Sequence, residues 1–351
     1  MSSKQEKLPA EAGVTEVAPN VLRIQLPVRF TGLGHVNMYV LEDSAGATII
    51  DPGLPTRSSW RAVKAGLDEA DIPMRRIHSV LVTHSHPDHF GGVRRLLGAS
   101  HGTMVAHARY RTWWRPHGHI DADDIGDDAQ AMERRARSGV YPWHDPAKAR
   151  GWRGALSALG PKNFFLGSMR SPVPDRRVAD GEVIELGGTD WIGVHTPGHT
   201  GDHLCLFDPA EGTLITGDHV LPSITPHVGA LGSGPDPLGT YLASLDKVAK
   251  LDVEKALPAH GQPFGALANR VDEIKQHHDK RLRQLSEVAQ ELGPATAGQF
   301  SQEIYPPRLW GYLAESETYA HLIHLQALGR AERTGPGGIY FSITADGSAS
   351  T

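Results

Sequence analysis

Apolar and polar residues alternate over residues 21–26, the pattern of a strand with one buried face. Residues 36–41 and 47–50 repeat it on either side of the turn Ser44-Ala45-Gly46, and Asp51-Pro52-Gly53 ends the third strand sharply. Ser58 or Ser59 then stands where a helix cap is needed, ahead of an apolar face made by Trp60, Val63 and Leu67. A short buried strand over 79–82, a helix over 90–97 and a strand over 103–106 continue the series. Strands at 183–186, 191–194, 204–207 and 214–216, a helix over 241–251 and a last strand at 256–258 complete it. Strands interleaved with helices predict a layered α/β fold.

Two stretches leave this rhythm. Residues 107–177 hold four of the seven tryptophans (Trp113, Trp114, Trp143, Trp152) and 13 Lys/Arg against 8 Asp/Glu. They read as a helical insert, either a lid that brings aromatic and basic groups over a site or a unit packed around its own tryptophans. The acidic run Asp121, Asp123, Asp124, Asp127, Asp128 lacks the spacing and final Glu of an EF-hand and reads as a solvated turn. Residues 266–351 carry one long amphipathic helix (Val271, Ile274, Leu282, Leu285, Val288, Leu292). A second helix (Tyr319, Leu322, Leu325, Leu328) stops at Gly329, and a hairpin turns at Gly335-Pro336-Gly337-Gly338. Helices followed by a hairpin predict a small winged-helix-like unit. The chain thus divides into a flexible leader at 1–15, a main domain at 16–265 and this tail.

Composition narrows the chemistry. The 351 residues include a single cysteine, Cys205, which excludes a disulfide framework and a thiolate-rich zinc site. Cys205 lies in an apolar strand and reads as core. Histidine is abundant, at 20 residues, so a metal here relies on imidazole and carboxylate. No basic-then-apolar leader and no apolar run long enough for a membrane span is present, so a cytoplasmic protein with no membrane partner is expected. A net charge of -5, and a tail with 8 Lys/Arg against 10 Asp/Glu, argue against a nucleic-acid partner.

The densest chemistry is Thr83-His84-Ser85-His86-Pro87-Asp88-His89, directly after a buried strand. Residues two apart at a strand end point the same way, so His84 and His86 can reach one ion. Asp88 and His89 fall on the next turn and can serve a second ion. Further donors recur beside glycines at later strand ends, in Gly198-His199, Gly217-Asp218 and His260-Gly261. Loops at strand ends of a layered α/β fold converge on one edge, and glycine there permits tight turns.

These pieces, with Asp51-Pro52-Gly53, resemble in order the signature of the metallo-β-lactamase-fold hydrolases over residues 15–265. The resemblance implies a four-layer αββα sandwich and a dinuclear site. His84, His86 and His199 would hold one metal; Asp88, His89 and His260 the other; Asp218 would bridge. Asp51 would support the ligands without touching metal. Two divalent ions follow, zinc for preference, with iron or manganese also suited to this donor set. They would activate a water for hydrolysis, with Asp88 orienting it. His203 and His219 read as hydrogen-bonded neighbours of the ligands. His195 and His227, with Trp113 and Trp114, are candidates for substrate contact. His101, His107, His277 and His278 read as surface residues.

Short tail motifs (Ile304-Tyr305-Pro306, Ala314-Glu315, His321-Leu322) resemble the branch typified by β-lactamase-like protein 2. A small-molecule ester or thioester, of the acyl-CoA or glyoxalase II-like kind, is the first expectation. A single-strand endoribonuclease, a lactonase or β-lactamase, and a non-hydrolytic diiron module are the alternatives. A homodimer through the insert or the tail is expected from family habit.

Overall fold

The computed structural model describes residues 4–30, 32–110, 141–143, 172–230 and 233–344. Most of the expected insert, including Trp113 and Trp114, lies outside these residues.

Strands β1 (Val14–Ala18), β2 (Val21–Phe30), β3 (Leu33–Glu42), β4 (Ala47–Ile50), β5 (Ile77–Val82), β6 (Thr103–His107) and β7 (Arg176–Val178) form one sheet in sequence order. The first four pair antiparallel; β4 through β7 pair parallel. A second sheet has the order β12-β11-β10-β9-β8, built from β8 (Val183–Leu186), β9 (Thr189–His195), β10 (Leu204–Asp208), β11 (Thr213–Gly217) and β12 (Lys255–Pro258).

The period of two along these strands sorts side chains into three cores. Tyr39, Leu41, Ile50, Leu81 and Val105 meet Leu204, Leu206, Ile215 and Leu257 between the sheets. Their strand neighbours Met38, Val40, Ile49, Val80, Val82 and Met104 point the other way, onto Val63 and Leu67 of α1 (Arg57–Glu69) and Leu96 of α3 (Val93–Ser100). On the far side, Cys205, Phe207, Leu214 and Ala256 pack on Leu238, Tyr241, Leu245 and Val248 of α4 (Pro237–Val248). Helix, sheet, sheet, helix is the four-layer sandwich expected from the sequence. Buried on both faces, the central strands are nearly continuous apolar runs. The cap of α1 is Thr56 rather than Ser58 or Ser59: its side chain accepts from the Ser59 amide.

The tail comprises α5 (Leu267–Leu292), β13 (Ala295–Thr296), α6 (Ala297–Ile304), α7 (Tyr312–Ala327), β14 (Ala331–Thr334) and β15 (Tyr340–Ile343). Its three strands form a small sheet in the order β13-β15-β14. Its apolar side joins the α4 core through Val271, Ile274, Leu282, Phe300, Tyr319 and Leu322. Tail and second sheet therefore share one core. The segment expected as a flexible leader is fastened in its described part: the side chain of Glu6 is fully buried and hydrogen-bonded to Ser223 and Ile224. No described helix is long and apolar enough to cross a membrane.

Candidate metal centre

Five chain segments deliver donors to one edge of the sandwich. β5 ends at Val82, and His84 and His86 follow it; the one-turn helix α2 (Pro87–Phe90) carries Asp88 and His89. His199 sits on the turn between β9 and β10, Asp218 just after β11, and His260 just after β12. Directly after β4, Asp51 turns the chain in a left-handed conformation with φ 53°.

The donors sort into two groups, His84, His86, His199 and Asp218 on one side and Asp88, His89 and His260 on the other, each with its ligand atoms within 4.8 Å of one another. His86 Nδ1 stands 3.0 Å from His84 Nε2 and 3.1 Å from His199 Nε2. Donors about 2.0–2.1 Å from a tetrahedral zinc lie roughly 3.3 Å apart, so this spacing suits one small cation. Asp218 lies between the groups. Its Oδ2 is 3.5 Å from His199 Nε2, 3.9 Å from His84 Nε2 and 3.6 Å from His89 Nε2, while its Oδ1 is 3.2 Å from His260 Nε2. Asp88 Oδ2 is 3.8 Å from His89 Nε2 and 3.7 Å from His260 Nε2.

Four of the five donor imidazoles are held at Nδ1 from behind. His199 Nδ1 donates to the His227 carbonyl at 2.7 Å, and His260 Nδ1 to the His35 carbonyl at 2.5 Å. His89 Nδ1 donates to Asp51 Oδ2 at 2.8 Å, and His84 Nδ1 to Thr83 Oγ1 at 3.1 Å. Each lock turns the Nε2 lone pair inward, as a metal ligand requires. His89 Nε2, His260 Nε2 and Asp218 Oδ1 are buried without a hydrogen-bond partner among the described residues. Buried lone pairs facing one another call for a cation between them, so the donor set fits divalent metal.

The electrostatics agree. Burial and then the neighbouring imidazoles push His84 and His86 well below the ordinary histidine value. Burial also opposes charge on Asp218, yet His260 and His89 hold its carboxyl well below the usual carboxylate range. Burial likewise disfavours a charged His89 or His260, but Asp51, Asp218 and Asp88 raise the first and Asp218 the second. Without metal, protons supply the positive charge that the carboxylates demand.

Asp51 occupies the supporting place expected of it, accepting from Thr83 N (2.8 Å), Thr83 Oγ1 (2.7 Å) and His89. His203 does the same for Asp218, accepting from its amide at 3.1 Å. His227 contributes its carbonyl to His199, and its half-buried ring lies 3.8 Å from Glu317 of α7. His195 stands apart from the donor groups: its ring stacks on His107 with centroids 3.9 Å apart, and Nε2 meets the Gly201 carbonyl. Two histidines read as surface residues are buried, His107 under that stack and His278 against His321. Sequence reasoning missed Glu6, His35 and Glu317, whose partners are far away in the chain; a histidine inside β3 was the one available signal. His86 and His199 are partly exposed whereas His84, His89 and His260 are fully buried, so the site opens on the His86/His199 side.

Comparison with known proteins agrees with this geometry. Residues 31–260 match the family model of the metallo-beta-lactamase superfamily. The chain is 25% identical to the atrochrysone carboxyl ACP thioesterase dmxR1 of a Cryptosporiopsis species, across 83% of this chain and 70% of that protein. It is 24% identical to the beta-lactamase-like protein 2 homolog of Caenorhabditis elegans, across 81% and 75%. Among solved structures, a metallo-beta-lactamase family protein of Thermus thermophilus superposes with a TM-score of 0.72 at 27% identity, covering 94% of this chain and 100% of the other. The ordered ligand segments, the four-layer sandwich and the family match together make this chain a member of the metallo-beta-lactamase superfamily.

Proposed function

We propose that the chain is a dinuclear metallohydrolase that cleaves a small ester or thioester. The observation that carries this reading is Asp218, one carboxylate set between two donor groups, beside His89 Nε2 and His260 Nε2, which are buried without a hydrogen-bond partner among the described residues. When bound, divalent ions, zinc for preference, make a water acidic and polarise a carbonyl. His84, His86 and His199 would hold the first ion, Asp88, His89 and His260 the second, and Asp218, which lies between the groups, would serve both. Asp88 orients the attacking water through its carboxylate. The partly exposed His86 and His199 mark the side on which substrate enters, and His227 flanks it. Thioester chemistry is supported by the thioesterase named among the relatives. Trp113 and Trp114 are proposed to meet the acyl group, and His195 is given no contact.

Hydrolysis of an acyl thioester, a lactone, a cephalosporin and a single-stranded RNA by the metal-loaded chain, side by side, tests the reading. Thioester or ester cleavage that is lost in His84→Ala is the expected result. Cleavage of RNA alone, lost in His84→Ala, would overturn the substrate assignment. Elemental analysis should find two ions per chain; fewer than one would sink the dinuclear reading. Trp113→Ala with Trp114→Ala should lower kcat/KM at unchanged metal content.

A further inference from the structure

We propose that residues 5–8 form a positioning strap for both donor groups, acting through Glu6 on the loop that seats His199 and through Leu8 on the loop that carries His260. The inference rests on the metal-centre reading above. It goes beyond that reading by giving the N-terminal segment a part in metal retention.

Glu6 is fully buried. Its Oε1 accepts from the backbone amides of Ser223 at 2.7 Å and Ile224 at 3.1 Å, and its Oε2 from Ser223 Oγ at 2.5 Å. A carboxylate this deep is costly unless its oxygens are satisfied, and charge-assisted bonds of this kind are among the stronger ones. Arg270 of α5 grips the same turn from the other polarity: Nε donates to the Leu221 carbonyl at 2.7 Å and Nη2 to the Ile224 carbonyl at 2.8 Å. An acid on the amides and a base on the carbonyls thus fix residues 221–224. This turn lies between Asp218 and His227, whose carbonyl fixes the tautomer of His199.

The second connection runs through His35. Its Nδ1 donates to the Leu8 carbonyl at 2.8 Å, which leaves Nε2 free to accept from the Gly261 amide at 3.0 Å. The His35 carbonyl takes the proton of His260 Nδ1. Gln5 adds a bond from the Gln262 amide to its Oε1 at 3.0 Å. At Gly261 the three segments meet without room for a methyl group: a Cβ there would lie 2.6 Å from Pro222 Cγ and 3.5 Å from Gln5 Cβ, at φ +88°. The strap therefore spans the turn behind His199 and the turn behind His260. Supporting partners of ligating histidines typically govern metal affinity by about 10–100-fold.

The test compares zinc retention against a competing chelator in the full chain and in Glu6→Ala, Glu6→Gln and Gln5→Ala. Amide hydrogen exchange over residues 218–228 is followed in the same samples. Glu6→Ala is expected to weaken retention at least about tenfold and to speed exchange across the loop. Glu6→Gln, which keeps an oxygen for the two amides, should recover most of the loss, an outcome that general destabilisation would not produce. If Glu6→Ala does not fold, intermediate losses in Glu6→Gln and Gln5→Ala carry the same conclusion. Parental retention and parental exchange in every folded variant would overturn the strap. An unsubstituted chain that retains no zinc would instead overturn the metal reading, and the exchange data then decide the strap alone: faster exchange in Glu6→Ala upholds it, unchanged exchange ends it.

Discussion

Asp51→Asn turns one atom from acceptor to donor at the point where the first ligand segment is tied down. Asp51 is 2% exposed, and its Oδ2 accepts from both His89 Nδ1 and Thr83 Oγ1. The new carboxamide can leave its oxygen on the Thr83 amide, but its nitrogen then faces two donors. His89 relieves the clash by carrying its proton on Nε2, which removes the lone pair from the site. Backbone strain is not a competing cause, because Asn adopts the φ of 53° at this position at least as readily as Asp. Hydrogen bonds to a charged group are worth about 1.5–3 kcal/mol each, and loss of a ligand's supporting partner weakens metal binding about 10–100-fold. The second figure corresponds to roughly 1.4–2.7 kcal/mol and falls on the group of Asp88, His89 and His260. Chelator competition at neutral pH should therefore strip one ion from Asp51→Asn well before the other, with turnover falling alongside. Parental retention of both ions with unchanged turnover would show that Asp51 only fills space, and the tautomer argument would fail.

Three further outcomes follow from the packing. Burial pushes His278 down to about 3 and His321 down to about 4 from the ordinary 6.5, so both stay neutral in the folded chain while the unfolded chain protonates. Their contribution is complete above about 6.5 and is lost as pH falls toward 4, by up to about 1.4 kcal/mol per unit per imidazole; denaturant titrations should show a shallower acid slope in His278→Gln than in the parent. Gly198→Ala forces a side chain into φ +141° with its Cβ 2.4 Å from Tyr241 Cα, so the His199 turn must move, and a loss above about 2 kcal/mol with failing turnover is expected by thermal melting and assay. Leu206→Ala, between the sheets, should cost about 2–5 kcal/mol yet leave metal content intact in the folded fraction.

The site was far more legible in the sequence than its supports. Every ligand segment follows a strand, and the strands announce themselves by apolar runs, so the donors could be ordered before their convergence was seen. Asp51 was legible for the same reason. The strap was not: Glu6 sits in a polar stretch, and its partners Ser223 and Ile224 are more than two hundred residues away. Residue type misled at His278, although position did not. It falls on the stripe Val271, Ile274, His278, Leu282, Leu285, the buried face of α5, so period outweighed polarity there. His107 ends a strand whose burial pattern is continuous after its first residue, and the same rule applied to it. The α1 cap moved to Thr56 because Thr56, Ser58 and Ser59 could each supply a hydroxyl, and the backbone conformation decides among them.

Charge balance bears on the number of ions. Asp51, Asp88 and Asp218 are buried within one small volume, and without metal their carboxylates raise His89 and His260 above the ordinary histidine value. Buried carboxylates call for compensating positive charge nearby. One divalent ion in the group of His84, His86 and His199 would leave a negative charge stranded beside His89 and His260, which would then have to keep a proton and lose a lone pair. Under the dinuclear reading proposed above, two divalent ions would compensate the carboxylates and free both imidazoles to ligate. On that reading Asp218, which reaches both groups, would offset repulsion between the cations, while Asp51 stays behind His89 and holds its Nδ1.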